Sequence, residues 1–460
     1  MVHDIFNECG LTRIPFSYKN TDSVIRHVFW FKFPQLKIHP SNVCAQFYFV
    51  KFYSYTLDMS GRLSLAVTGI QDQWMTGEPQ FSYFLMNFRR HTKFSIEHIE
   101  TPFDGSLDFD REFVCRLPHS KGDLVKNMTL KITLQDPGPD TIGTNNLAYV
   151  PSVCTELIEY VDLVMGGQTI ERLTGEYIFM HQQLNNSDDD VYQSLYFLNG
   201  HGGFLSYEGT YTYFLDLPFY FYRHPSLAIP MCTMTKQLVE VRIKLRSKES
   251  LVYLYPYSTP KTDIKNLSLD TEFVFVSEEE KNFLTTRPIE HVITQLQMSQ
   301  VNIEAGLTKK SIMLNFKHPV KEMFFIAQSD AYKNANSSVI FEDIKRLELK
   351  FNNQTVFNID RLFMNYVQTY KNYVNVPYTT SVIDYVSGIV TLNSIFGAYS
   401  FSNNPEKYYP TGQVNMSRIS HKLLDIEIEP FLPNYDTKVR VYAVNYNVLR
   451  FDSGLVGLKF

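Results

Sequence analysis

The feature that most constrains this chain is a pair of glycines set between two short runs of strand-like sequence. In Glu159-Tyr-Val-Asp-Leu-Val-Met-Gly-Gly-Gln-Thr-Ile170, an apolar-rich run leads up to Gly166-Gly167, and Gln168-Thr169-Ile170 starts back. A two-residue hairpin of the primed type needs φ > 0 at both central positions, and glycine supplies that without a Cβ clash. The same device returns in Lys345-Arg-Leu-Glu-Leu-Lys-Phe-Asn-Asn-Gln-Thr-Val356, where Asn352-Asn353 replaces the glycines. Asparagine is the next residue to tolerate that backbone region. Gln168-Thr169 becomes Gln354-Thr355, an offset of 186 residues. A second stretch, Leu238-Val-Glu-Val-Arg-Ile-Lys244, aligns with Leu423-Leu-Asp-Ile-Glu-Ile-Glu429 at an offset of 185. The chain therefore reads as two copies of one domain.

Each copy is expected to be built from strands. Met128, Leu130, Ile132 and Leu134 alternate with polar residues, as do Val239, Val241, Ile243 and Leu245. Strict period two gives one buried and one wet face. Aromatics make up 15% of the chain, with 36 Phe and 30 Tyr, and these side chains favour pleated, half-buried surfaces. Short helices are expected after each hairpin, capped by Thr174 and Asp360, and after Ser277-Glu-Glu-Glu280, which spells a capping box. Residues 1–58 read as an N-terminal extension or the product of an upstream start, and 59–80 as an arm. The first domain spans 81–246, with strands starting at Phe81-Ser-Tyr-Phe-Leu-Met-Asn-Phe88. Ser247 to Asp263, with Pro256 and Pro260, reads as a linker, and 264–460 as the second domain. Two all-β domains of many short strands read as sandwiches or jelly rolls.

Several chemistries find no support in the sequence. The net charge of −5 argues against non-specific nucleic-acid binding as the main task. Five scattered cysteines (Cys9, Cys44, Cys115, Cys154, Cys232) never form CxxC, which points to reduced thiols. The 12 histidines show no ligand spacing, and no serine sits in GxSxG. Asp188-Asp189-Asp190, Asp108-Phe-Asp110 and Gly200-His-Gly-Gly203 read as solvated loops, and Arg89-Arg90 as a strand-end surface pair. His91 and His98 read as packing or surface residues in a strand-like stretch. Six sequons, at Asn127, Asn185, Asn266, Asn336, Asn353 and Asn415, read mostly as coincidence in a chain rich in Asn, Ser and Thr. No catalytic, cofactor or metal residues are expected. The residues singled out are the structural turns Gly166, Gly167, Asn352 and Asn353.

From Leu63 onward the chain resembles the major capsid proteins of nucleocytoplasmic large DNA viruses. The resemblance is carried by Thr76-Gly-Glu-Pro-Gln-Phe81, by Phe88 to Glu97, and by the Gly-Gly-Gln hairpin of Ile158 to Ile170. Further along it is carried by Leu217-Pro-Phe to Ile229-Pro230, Phe273 to Lys281 and His318-Pro-Val-Lys-Glu322. Near the end it rests on Pro410 to Arg418 and Val441-Tyr-Ala-Val-Asn-Tyr-Asn-Val-Leu-Arg450. It implies an all-β chain of two consecutive eight-stranded jelly-roll barrels with short helices in the loops. It also implies a non-enzymatic hexon protein that forms homotrimers, which pack as pseudo-hexagonal capsomers in an icosahedral virion shell. The implied partners are further copies, neighbouring capsomers, minor capsid and vertex proteins, and an internal viral membrane, with no cofactor and no direct nucleic acid. Assembly would take place in the host cytoplasm. Two other readings stay open: a double-jelly-roll scaffold of immature virions, and a carbohydrate-binding surface jelly roll.

Overall fold

Alternating side chains in the first copy build two facing sheets. A computed structural model describes residues 61, 65–86, 88–137, 149–150, 152–186, 198–200, 209–252, 262–330, 340–377, 380–384, 388–392, 395–430 and 433–460. The chain divides into a unit up to Arg89 and a unit from Arg90 to Phe460. The larger unit starts with β1 (Phe94–Pro102), β2 (Glu112–Arg116), β3 (Leu124–Gln135) and β4 (Ile158–Met165). It continues with β5 (Gln168–Thr174), β6 (Thr210–Asp216), β7 (Val239–Leu245) and β8 (Ile264–Val276). One sheet has the order β1-β8-β3-β6 and the other β2-β7-β4-β5. The inward residues Met128, Leu130, Ile132 and Leu134 of β3 are buried, as are Val239, Val241, Ile243 and Leu245 of β7. They meet in one hydrophobic core.

The second copy repeats this plan. It contains β9 (Ile289–Ile303), β10 (Lys309–Met313), β11 (Pro319–Ser329), β12 (Asp343–Phe351) and β13 (Gln354–Asp360). A separate hairpin follows, β14 (Thr380–Asp384) with β15 (Gly388–Leu392). Then come β16 (Gly397–Ser400), β17 (Val414–Asn415), β18 (Lys422–Glu429), β19 (Thr437–Asp452) and β20 (Leu455–Leu458). The sheet β10-β18-β12-β13 matches β2-β7-β4-β5, and β9-β19-β11-β16 matches β1-β8-β3-β6. Each barrel thus has eight corresponding strands, the double Greek-key arrangement of a jelly roll. The extra strands β17 and β20 pair with β11 and β19.

The hairpins agree in detail. Gly166 and Gly167 have φ of 58° and 82°, and Asn352 and Asn353 have 48° and 68°. The nitrogen at the first turn position donates to the neighbouring strand's lead-in in both copies, Gly166 N to Leu238 O and Asn352 N to His421 O, each at 2.9 Å. The pairing then skips one residue at the same place. Val164 faces Thr169 but Leu163 faces Glu171, leaving Ile170 as a bulge. Lys350 faces Thr355 but Leu349 faces Phe357, leaving Val356 as a bulge.

Four sequence expectations need correction. The stretch Ile264–Val276, expected to open the second domain, is β8, which closes the first barrel between β1 and β3. Leu267, Leu269 and Phe273 point into that barrel's core. The segment before it therefore joins two strands of one barrel, and the helix Glu278–Thr286 leads from one barrel to the other. That helix begins after Ser277, but the serine side chain makes no capping bond. The match between β7 and β18 also slips. Val239 opposes Met165 and Lys422 opposes Phe351, so the structural offset is 183 residues, not 185. A two-residue slip keeps every side chain on its face, so alternation alone cannot detect it.

The fourth correction concerns the smaller unit. Among the described residues, none from Phe81 to Phe88 is in a strand, and the first strand begins at Phe94. Apolar residues there run consecutively instead of alternating, and Phe84 is 96% exposed. Upstream lies the helix Ile70–Thr76, whose first turn is tied by Gly69 N donating to Asp72 Oδ2 at 2.8 Å. None of its residues is buried, and Trp74 is 89% exposed.

Candidate functional site at the junction of the barrels

β11 and β19 are buried on both faces, which is what joins the two copies. In β11, Met323, Phe325 and Ala327 fill the second barrel's core, while Phe324 and Ile326 join the first barrel's hydrophobic cluster. In β19, Val439, Val441 and Ala443 face the second core, and Tyr442 and Val444 face the first cluster. Such strands read as continuous apolar runs, because neither face meets water. Tyr177, on the helix Gly175–Asn185 of the first copy, packs edge-on against Phe324 with ring centroids 6.1 Å apart. Phe179 meets Phe341 in the same way at 6.4 Å. Burying a large apolar side chain contributes roughly 1.5–3 kcal/mol, so this seam is substantial.

A polar latch sits within the apolar seam. Thr174 caps the helix Gly175–Asn185 by accepting from Tyr177 N at 3.3 Å, and this places Glu176 in the first turn. Tyr442 Oη of the second barrel donates to Glu176 Oε2 at 2.7 Å. Arg440 reaches Glu176 Oε1 at 2.7 Å. All three side chains are buried. Burial first, and then the Glu176 charge, hold the Tyr442 phenol well above its usual range, so it stays a donor. Further links are Gln295 Nε2 to Ile170 O at 2.6 Å, Asn375 N to Leu184 O at 2.9 Å, and Val456 N to Gln237 Oε1 at 2.6 Å.

Beside the latch lies a cavity of about 190 Å³ between the copies. The first copy contributes Tyr177, His181, Tyr222 and Arg223; the second contributes Lys321, Glu322, Tyr373 and Glu406. Lys321 is 1% exposed, and its Nζ contacts Glu322 Oε1 at 2.9 Å and Pro405 O at 2.7 Å. Tyr373 Oη donates to the other oxygen of Glu322. Burial, reinforced by Arg223, pulls the Lys321 ammonium down to about 8. Enclosure and the neighbouring Glu322 push the Glu406 carboxyl up to about 7. Burial pushes Glu171, which accepts from Tyr220 N at 2.8 Å, up to about 8. His181 is pulled down to about 3 by burial and then by Arg223 and Lys321.

The turn residues of both hairpins are exposed and lie away from this cavity's lining. Asp108 and Asp110 lie in a turn and pair with Arg111 and Lys244. His98 is solvent-facing beside Asp270, and Arg89 and Arg90 are exposed. Asp188 to Asp190 and residues 201–203 lie outside the described residues, as do Cys9, Cys44 and residues 1–58. Cys115, Cys154 and Cys232 are free, and burial pushes Cys115 up to about 12 and Cys232 to about 11. Among the described residues, no group of three or more His, Cys, Asp or Glu is placed to hold a metal ion. The cavity residues escaped sequence reasoning because they come from five distant segments. The one local signal is charge: Lys321-Glu322 interrupts the apolar run of β11.

Comparison with known proteins follows the division between the barrels. Residues 82–277 match the family described as major capsid protein N-terminus, and 280–457 match the large eukaryotic DNA virus major capsid protein. The chain is 28% identical to the major capsid protein of Pyramimonas orientalis virus, over 87% of this chain and 99% of that one. It is 26% identical to the major capsid protein of Paramecium bursaria Chlorella virus 1, over 87% and 100%. Among solved structures, a chain of the PBCV-1 virus capsid aligns with a TM-score of 0.67 at 20% identity, covering 82% of this chain and all of that one. The Faustovirus major capsid protein aligns with a TM-score of 0.63 at 10% identity, covering 83% and 94%.

Proposed function

From the premise that this chain belongs to the major capsid proteins of large eukaryotic DNA viruses, we propose that it works by assembling as a homotrimeric, pseudo-hexagonal capsomer. The observation that carries this reading is the fusion of two barrels of identical strand order through strands buried on both faces. Three copies of a two-barrel chain offer six similar barrels around one threefold axis, a closed symmetric arrangement. A rigid seam keeps the outline of such a block fixed, so that blocks tile edge to edge. The exposed apolar side chains of the 65–86 segment, Trp74 and Phe84 among them, are suited to burial against neighbouring copies.

The work of the protein is then structural and not catalytic, performed in the virion shell, with minor capsid and vertex proteins and an internal membrane as further neighbours. Mass photometry of the purified chain tests the core of this reading. A species of about 161 kDa, three times the 53.6 kDa chain, is expected at micromolar concentration. A stable monomer at that concentration refutes it. Depletion of the protein from mature virions would instead indicate a scaffold of immature particles.

A further inference from the structure

We propose that the cavity at the barrel junction is a binding site for a small oxyanion of the phosphate type, with Arg223 as its principal ligand. Arg223 lies at the end of the short turn Tyr220–Arg223 and lines the cavity. Among the described residues it has no hydrogen-bond or ion-pair partner. A guanidinium carries five N–H donors in a fixed fork, a geometry suited to two oxygens of one anion. The Tyr177 and Tyr222 hydroxyls and the His181 ring line the same space and likewise lack a hydrogen-bond partner among the described residues. Donors of four side chains thus border one space. At about 190 Å³ it is well above the roughly 30 Å³ share of a liquid water.

The charge balance favours an anion. Lys321 and Glu322 pair with each other, so their charges offset. Glu171 is pushed up to about 8 and His181 down to about 3, which leaves both neutral at pH 7. Glu406, pushed up to about 7, opposes an anion, and Glu322 and Glu171 also face Arg223. The Glu406 carboxyl lines the cavity while the residue as a whole keeps contact with solvent. Arg223 therefore supplies a positive charge with no hydrogen-bonded carboxylate of its own among the described residues, in a partly enclosed space where charge-assisted hydrogen bonds are strong.

Calorimetric titration of the full chain with inorganic phosphate at pH 7.5, at constant ionic strength, tests the site. Saturable binding is expected, with a rise in melting temperature that chloride does not produce. Arg223→Gln is expected to weaken binding at least tenfold, and Arg223→Lys, which keeps charge but loses the fork, by a smaller factor. Glu406→Gln, at an exposed position, is expected to tighten binding several-fold at pH 8. Three results overturn the proposal: no phosphate-specific binding to the parent, unchanged binding in Arg223→Gln, or unchanged or weaker binding in Glu406→Gln. If Arg223→Gln fails to fold, Arg223→Lys and Glu406→Gln still decide. A parent that ignores phosphate while Arg223→Gln impairs trimer formation would assign Arg223 to a carboxylate of a neighbouring copy.

Discussion

Removing the hydroxyl of Tyr442 probes the seam with the smallest change of shape. Tyr442→Phe keeps the ring against Tyr177, with centroids 6.5 Å apart, but deletes the donor that meets Glu176 Oε2 at 2.7 Å. Glu176 is 6% exposed, so water is poorly placed to replace the lost bond. A hydrogen bond to a charged group contributes about 1.5–3 kcal/mol, and Arg440 remains on the other oxygen, so we expect a loss of about 2 kcal/mol. For a unit of this size that corresponds to a drop in melting temperature of about 2–3 °C, compared at equal protein concentration. Glu176→Gln removes the charge opposite Arg440 and leaves a buried guanidinium uncompensated, a change worth about 3–5 kcal/mol. Because both substitutions break the same contact, the double variant is expected to lose at least 1 kcal/mol less than the sum of the singles. Calorimetric melting and urea titration of the four proteins provide the cycle. A Tyr442→Phe protein within about 0.5 kcal/mol of the parent, or a strictly additive double variant, refutes the idea that this latch couples the barrels.

The hairpin turn makes a second, graded prediction. A Cβ at Gly167 would meet nothing within 4 Å, so Gly167→Asn, the residue of the second copy, is expected to be nearly neutral. Gly167→Val is expected to cost about 1–2 kcal/mol for its positive φ. A Cβ at Gly166 would lie 2.3 Å from Gln237 Nε2, and Gln237 holds Val456 N, so Gly166→Ala is expected to lower the melting temperature more than Gly167→Ala. The reverse order contradicts this account. Glu171 carries a pH signature. Its folded pKa lies above the usual carboxylate value, so the folded chain keeps a proton that the unfolded chain releases. Stability is then fully present below about pH 4.5 and is lost as pH rises towards about 8. The slope is at most about 1.4 kcal/mol per pH unit, and Glu171→Gln is expected to flatten it in urea titrations at pH 5, 6.5 and 8. Parallel pH profiles for the two proteins dismiss the assignment.

What the sequence disclosed depended on how many faces each strand buries. β3 and β7 bury one face, so their period-two pattern is plain, and their residues fall where expected. β11 and β19 bury two, and their continuous apolar runs carry no facing information. Even so, Val441 to Arg450 was among the segments that carried the family resemblance. The bulges at Ile170 and Val356 were invisible, since an apolar residue on the wrong side of a skip looks like ordinary alternation. β8 was assigned to the wrong barrel because a Pro-, Ser- and Thr-rich stretch precedes it, and composition cannot tell an interdomain linker from a long loop within a barrel. The junction cavity depends on Arg223, Lys321 and Glu406, which are far apart along the chain. No local spacing unites them; only the packing of one copy on the other does.

The two-faced character of β11 and β19 also bears on how this architecture can change over time. A tandem repeat can ordinarily be undone, since splitting the gene returns two self-sufficient domains. Here the second barrel has come to carry Phe324, Ile326, Tyr442 and Val444 on its outer surface, all buried against the first. Cut free, it would present that apolar face to water along strands whose inner side chains cannot be altered without emptying its own core. Each of these side chains tightens the union and makes separation more harmful. The joining of the copies therefore behaves as a ratchet, leaving descendants free to vary the loops but not to live as single barrels.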